Sequence, residues 1–309
     1  MNVARDPADL YEVRPDRPEL GDELVMLYYL DGFIDAGGAG RLLATHLLDT
    51  LEHEQVARFD VDSLIDYRSR RPAMTFSKDH WETYDAPELA ISLLHDTAGT
   101  PFLLLNGPEP DREWEAFTSA VRQLSAELRV RLAVSFHGIP MGVPHTRQLG
   151  VTAHATRAEL VEGYRPLVDK LQVPGSASAL LELRLGEDER AAIGFAVHVP
   201  HYLAQAAYPA AAVALMESVE RAAGLSLPAD VLREAAHRTD LEITRQVESS
   251  AEVTELVQTL EQQFDAFTAG QEDGLMADEA ETSMPTADEL GAQFERFLAE
   301  QQRGDSPDA

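Results

Sequence analysis

Short apolar runs alternate along this chain with longer stretches whose apolar positions recur every three or four residues. The runs at 24–30, 56–61, 89–94, 102–105, 132–136, 151–155 and 193–197 read as buried strands. Leu42, Leu43, Leu47, Leu48 and Leu51 form the stripe of an amphipathic helix. Residues 111–128 carry Trp114, Phe117, Val121, Leu124 and Leu128 on one helical face, and 177–185 read as a further helix. Pro209 stands where a first-turn proline belongs and opens an alanine-rich helix that Gly224 closes. Pro228 opens the next. Strand and helix in alternation predict an α/β fold: a mainly parallel sheet covered by helices.

The same pattern divides the chain. Residues 1–21 are polar and proline-rich, which predicts a loosely held arm ahead of an α/β domain over 22–240. Near Asp240 the composition changes, with eighteen Asp and Glu against three Arg from there to the end. Ile243, Val247, Val257, Leu260, Phe264 and Phe267 predict one long helix over 241–267. Residues 268–309 read as an acidic, mostly disordered tail. Within it, Thr286-Ala-Asp-Glu289 is a capping box before a short helix with Leu290, Phe294, Phe297 and Leu298 on one side.

Charge and composition narrow the function. A formal net charge of -29 and only two lysines, Lys78 and Lys170, exclude a nucleic-acid surface, which needs cations to displace counterions. The absence of cysteine excludes disulfides, thiolate zinc sites, iron–sulfur clusters and a Cys nucleophile. The first residues have no apolar signal core, and the run 24–30 is too short to cross a bilayer. A soluble, cytoplasmic protein with no membrane partner is the expectation.

Two matching segments rich in proline and histidine carry the candidate chemistry. They are His137-Gly-Ile-Pro-Met-Gly-Val-Pro-His145-Thr146-Arg147 and His198-Val-Pro-His201-Tyr202-Leu203, each following a strand-like run. Ligands of open α/β sheets gather where strands end. If the loops after four strands share one edge, Asp31, Asp35, Glu109, Asp111, His137, His145, Arg147, His198 and His201 form a candidate pocket. Such a group suits acid–base work. The competing reading has each histidine fixing a turn through backbone carbonyls. Gly37 and Gly38 at a helix start, with Arg71 and Arg147, are anion-binding candidates. Against this, the glycine run fits neither GxGxxG nor GxxxxGK, and glycine also lets a helix approach a sheet. The Val-Pro between His198 and His201 forbids a helical histidine pair, so neither a metal nor a cofactor is predicted. Ser135, Ser176 and Ser178 lie outside any G-x-S-x-G, which leaves a hydrolase of the nucleophile-elbow kind without support.

Several phrases read together resemble the PAC2 family, named for a proteasome assembly chaperone, in its actinobacterial branch. They are Asp31-Gly-Phe-Ile-Asp-Ala-Gly37, Tyr67-Arg-Ser-Arg-Arg-Pro72, Asn106-Gly-Pro-Glu-Pro-Asp111 with Trp114, 138–147, Leu181-Glu-Leu-Arg-Leu-Gly186 and 198–203. The resemblance implies a three-layer α/β/α fold of phosphorylase/hydrolase-like architecture and a homo-oligomer, a trimer being favoured. It transfers no catalytic set. Some chaperone members end in a hydrophobic–Tyr–any residue tail, whereas this sequence ends Ser306-Pro-Asp-Ala309, so that docking mode is not expected. The leading expectation is a self-associating protein-interaction module of the assembly-chaperone kind. The alternative is a small-molecule enzyme with a strand-end site for a nucleoside-, phosphate- or carboxylate-type ligand.

Overall fold

A computed structural model describes residues 6–18, 20–164, 166 and 170–272. Its strands are β1 (Tyr11–Val13), β2 (Leu24–Asp31), β3 (His53–Phe59), β4 (Met74–Ser77), β5 (His80–Tyr84), β6 (Ala90–His95), β7 (Pro101–Pro108), β8 (Val130–Met141), β9 (Val151–Ala155) and β10 (Ala192–Pro200). The helices are α1 (Ala39–Thr50), α2 (Val61–Leu64), α3 (Trp114–Glu127), α4 (Ala177–Glu187), α5 (Pro209–Ala223), α6 (Asp230–Glu248) and α7 (Ala251–Glu272). Eight strands form one sheet in the order β1-β3-β6-β7-β2-β8-β10-β9. β7, β2, β8 and β10 are mutually parallel, and the flanking strands join antiparallel. β2 lies at the centre, buried along all but its last residue, as befits a parallel strand covered on both faces.

Alternate residues of the central strands enter opposite cores. Val25, Leu27, Tyr29, Val134, Phe136, Phe195 and Val197 pack with residues of α1, α5 and α6. Leu24, Met26, Tyr28, Leu103, Leu105 and Ala133 pack with residues of α3, α4 and the short turn Pro7–Leu10. Three layers result. Pro209 and Gly224 bound α5 as expected, Gly224 taking the left-handed conformation that ends many helices. Ser176 caps α4 by accepting from the N–H of Ala179.

Several expectations are corrected. The 1–21 segment is not loose over its described part: Leu10 is fully buried, and β1 pairs with β3. The run at 56–61 stops at Phe59, and Val61 instead begins α2. β8 and β10 run on through the residues read as turns, pairing as far as Pro200 and Met141. β2 pairs with β8 only as far as Ser135, so beyond it a strand edge opens where proline, lacking an N–H, is tolerated. The single helix expected over 241–267 is two. α6 passes through Asp240 without a break, and the chain reopens at Ser249 and Ser250, whose hydroxyls bond nearby backbone. The β4–β5 hairpin was not foreseen.

The contacts divide the chain into a unit ending at Glu255 and a second beginning at Leu256; the sheet and helices α1 to α6 lie in the first. Helix α7 extends past 268 to Glu272, and the rest of the expected acidic tail, with its capping box, lies outside the described residues. No helix among the described residues is long and apolar enough to cross a membrane.

Candidate functional site

The parallel strands β2, β7, β8 and β10 all end at one edge of the sheet, so the four nominated loops do share it. The two His/Pro segments leave adjacent strands. The period of two then sorts the residues by face. Tyr29 belongs to the α1/α5 core and Asp31 follows it on that side; His137, next to Phe136, turns to the α3/α4 side. The nominated residues form separate groups and not one pocket.

Asp35 is a structural tie. Its Oδ1 accepts from the backbone N–H of Gly40 and of Gly138, each at 2.9 Å. Its Oδ2 accepts from the N–H of Arg41 at 3.0 Å and the Tyr29 hydroxyl at 3.1 Å. Tyr29 also reaches Asp31 Oδ1 at 3.2 Å, and burial, with both carboxylates beside it, raises its pKa. The chain at Gly138 passes so close that a Cβ there would stand 2.1 Å from the carbonyl of Ala36. Gly37 and Gly38, both at positive φ, have their N–H groups engaged: Gly37 donates to Ala204 and Gly38 to Asp35. Their positive φ and these bonds shape the turn that leads into α1.

Glu109 is buried, and its Oε1 accepts from the N–H of Ala177 at the start of α4, 2.7 Å away. Burial raises its pKa, opposed by that bond and by Arg70. Arg70 donates to the Asp31 carbonyl at 2.8 Å and to Asp111 Oδ1 at 2.9 Å, while Asp111 Oδ2 accepts from the N–H of Asp66. Arg71, the nominated anion binder, is exposed; its neighbour Arg70 is the residue that turns in. A loop without periodicity gives no signal of which arginine does so.

Tyr202 joins the two His/Pro segments. Its hydroxyl accepts from the N–H of His145 at 2.9 Å and meets His145 Nδ1 at 2.7 Å. The rings of His145 and His201 both meet Tyr202 edge-on. Burial lowers the pKa of His201. His145 and Arg147 then line an open cleft of about 420 Å³ with Tyr164, Tyr208, Arg221 and Asp240. Asp240 Oδ1 is buried without a hydrogen-bond partner, and burial raises that carboxyl's pKa against the pull of His145 and His237.

On the α3/α4 side, burial and then nearby His154 push the His137 pKa down to about 4. His198 Nε2 meets Thr152 Oγ1 at 2.7 Å, and burial lowers its pKa. His154 Nδ1 lies 2.8 Å from Glu182 Oε1. Sequence reasoning missed Tyr29, Tyr202, Asp240 and the His154–Glu182 pair. Strand parity, applied to 151–155, carried the one available signal for His154. No group of three or more His, Asp or Glu among the described residues has metal-binding geometry.

Comparison with known proteins adds family and fold. The PAC2 family model matches residues 29–247. A protein of unknown function from Mycobacterium tuberculosis is similar at 48% identity, covering 86% of this chain and 92% of its own, with a TM-score of 0.83. One from Corynebacterium glutamicum, also of unknown function, is 36% identical over 83% of this chain and 97% of its own, with a TM-score of 0.80. A proteasome-assembly chaperone homologue of Mycobacterium tuberculosis shares the fold at 23% identity, covering 76% of this chain and 100% of its own, with a TM-score of 0.70. A search of curated proteins finds no match.

Proposed function

The chain belongs to the PAC2 family, and from that premise we propose that it works as a self-associating protein-interaction module of the assembly-chaperone kind. The observation that carries the reading is the β4–β5 hairpin. Met74 pairs with Tyr84 and Phe76 with Trp81, and a register shift between Thr75 and Phe76 brings all four onto one face. Each is between 48% and 63% exposed. A lone two-stranded hairpin is marginal in water, and four large apolar side chains together mark a contact surface. The strand-end carboxylates support the same reading, since Asp35, Glu109 and Asp111 already hold the scaffold together. The partner is a second copy, in a closed ring of three, within the cytoplasm.

Multi-angle light scattering tests this. The chain is expected to give the mass of an oligomer, and Phe76→Asp with Trp81→Asp a monomer with unchanged circular dichroism. A monomeric unaltered chain at micromolar concentration would overturn the proposal.

The cleft favours a second reading, a small-molecule enzyme of nucleoside-, phosphate- or carboxylate-type specificity. Arg147 and Arg221 line the cleft, as does Asp240 with its unpartnered Oδ1. A guanidinium grips such anions in two places. A thermal-shift screen of phosphates, nucleosides and organic acids is expected to find a ligand whose effect disappears in Arg147→Ala; stabilisation that survives the substitution counts against it.

A further inference from the structure

On the α3/α4 side of the sheet, three strands and a helix bring a serine, a histidine and a carboxylate together. Gly194 of β10 is in register with Ser135 of β8 on one side and His154 of β9 on the other. A Cβ on Gly194 would stand 2.6 Å from Ser135 Oγ and 2.6 Å from His154 Nε2. The side chain missing at Gly194 is therefore the space that these two groups share. His154 Nδ1 bonds Glu182 Oε1 of α4 at 2.8 Å. That bond favours the tautomer protonated on Nδ1, leaving the Nε2 lone pair on the Ser135 side.

The surroundings fit a reactive centre. Tyr28, in register with Ser135 on β2, is wholly buried and faces it, yet its hydroxyl makes no well-formed hydrogen bond. Glu182 Oε2 is also buried without a partner. Buried polar atoms without a partner are rare in folded proteins, and Glu182 Oε2 is one, beside the serine and histidine. Burial opposes a charge on His154, but the bond and charge of Glu182 outweigh it and raise its pKa. His137 beside it stays neutral above about pH 4 and places no competing cation there.

We propose that Ser135, His154 and Glu182 form a nucleophile–base–carboxylate relay that acts on small acyl esters. Ser135 Oγ bonds the acyl carbon as its proton passes to His154 Nε2. The Tyr28 hydroxyl donates to the oxygen that becomes negative. Collapse breaks the ester C–O bond, and His154 returns the proton to the departing oxygen. Water, deprotonated by His154, then attacks the acyl-serine, releases the carboxylic acid and restores the Ser135 hydroxyl. Glu182 is a positioning residue. Ser135 is only 7% exposed, so the acyl group must be small. Access is from the side of His154, whose side chain is 46% exposed. Ser135 lies within a strand and not at a strand-to-helix elbow, so no G-x-S-x-G marks it.

The experiment treats the full chain with a fluorophosphonate probe and, separately, with p-nitrophenyl acetate. One adduct per chain on Ser135, found by peptide mass spectrometry, and a matching burst of p-nitrophenolate are expected. Ser135→Ala abolishes both. His154→Gln slows labelling on the order of 10³-fold. Glu182→Gln slows it less and moves the midpoint of its pH profile downward, because the group that raises the His154 pKa is gone. Gly194→Ala, whose Cβ would stand 2.1 Å from His154 Cε1, abolishes labelling in a chain of unchanged circular dichroism. No adduct on Ser135 in the folded chain, an adduct elsewhere only, or labelling indifferent to His154→Gln would each overturn the proposal.

Discussion

Arg70 ties the ends of β2 and β7 together, with one nitrogen on the Asp31 carbonyl and the other on Asp111. Its removal leaves Asp111 without that cation and Glu109 without the charge that offsets its burial. Arg70→Met is expected to cost about 1.5–3 kcal/mol in urea unfolding, the range for hydrogen bonds to charged groups. Arg70→Lys restores only part, because an ammonium does not reproduce the fork. His137 predicts a pH effect of definite sign. The unfolded chain takes up a proton near the ordinary histidine value, whereas folded His137 resists until about pH 4. Stability therefore falls as pH drops through that window, by about 2 kcal/mol after allowance for partial exposure. His198 and His201, also lowered, act in the same direction, and His154, raised, acts against them. Urea midpoints at pH 7 and 4.5 should differ less in His137→Asn than in the unaltered chain. Which loops meet was legible in the sequence, because each follows an apolar run. Which side chains meet was not: His137 and Asp31 differ in face by strand parity, which an assumed turn conceals.

Helix ends show the same sequence answering one structural demand in different ways. α5 ends on Gly224 at φ 71, where glycine is unstrained. α4 ends on Glu189 at φ 58, with the N–H of Arg190 bonded to Leu185 and that of Glu189 to Gly186. This is the Schellman arrangement with a side chain in the left-handed position. Glu189→Gly should raise stability by about 1 kcal/mol, and Gly224→Ala lower it by a similar amount, both measurable by thermal or urea unfolding. Element type was legible wherever burial imposed a pattern, as in the unbroken apolar run of β2 and the stripes of α1 and α3. It was not legible in the far halves of β8 and β10, where His, Gly and Pro resemble turn chemistry but continue a ladder. The β4–β5 hairpin escaped because both faces are exposed and its register shift scrambles the alternation.

For the molecule as a whole, self-association must overcome a formal net charge of -29 on every copy. Added salt screens that repulsion while leaving apolar contact intact. The oligomer proposed above should therefore tighten as sodium chloride rises from about 10 mM toward physiological ionic strength, as sedimentation can measure. Dissociation on adding salt would instead point to an interface held by ion pairs. The hairpin that would form this contact has an optical consequence. The chain has two indoles, Trp81 and Trp114. Trp81 lies bare on the hairpin, while Trp114 is half-buried with its N–H on the Pro110 carbonyl. Emission from Trp81 should be red-shifted and open to acrylamide until something covers it, and that from Trp114 bluer and shielded until the chain unfolds. Trp81→Phe leaves fluorescence that follows folding, and Trp114→Phe leaves a lamp on the surface where copies would meet.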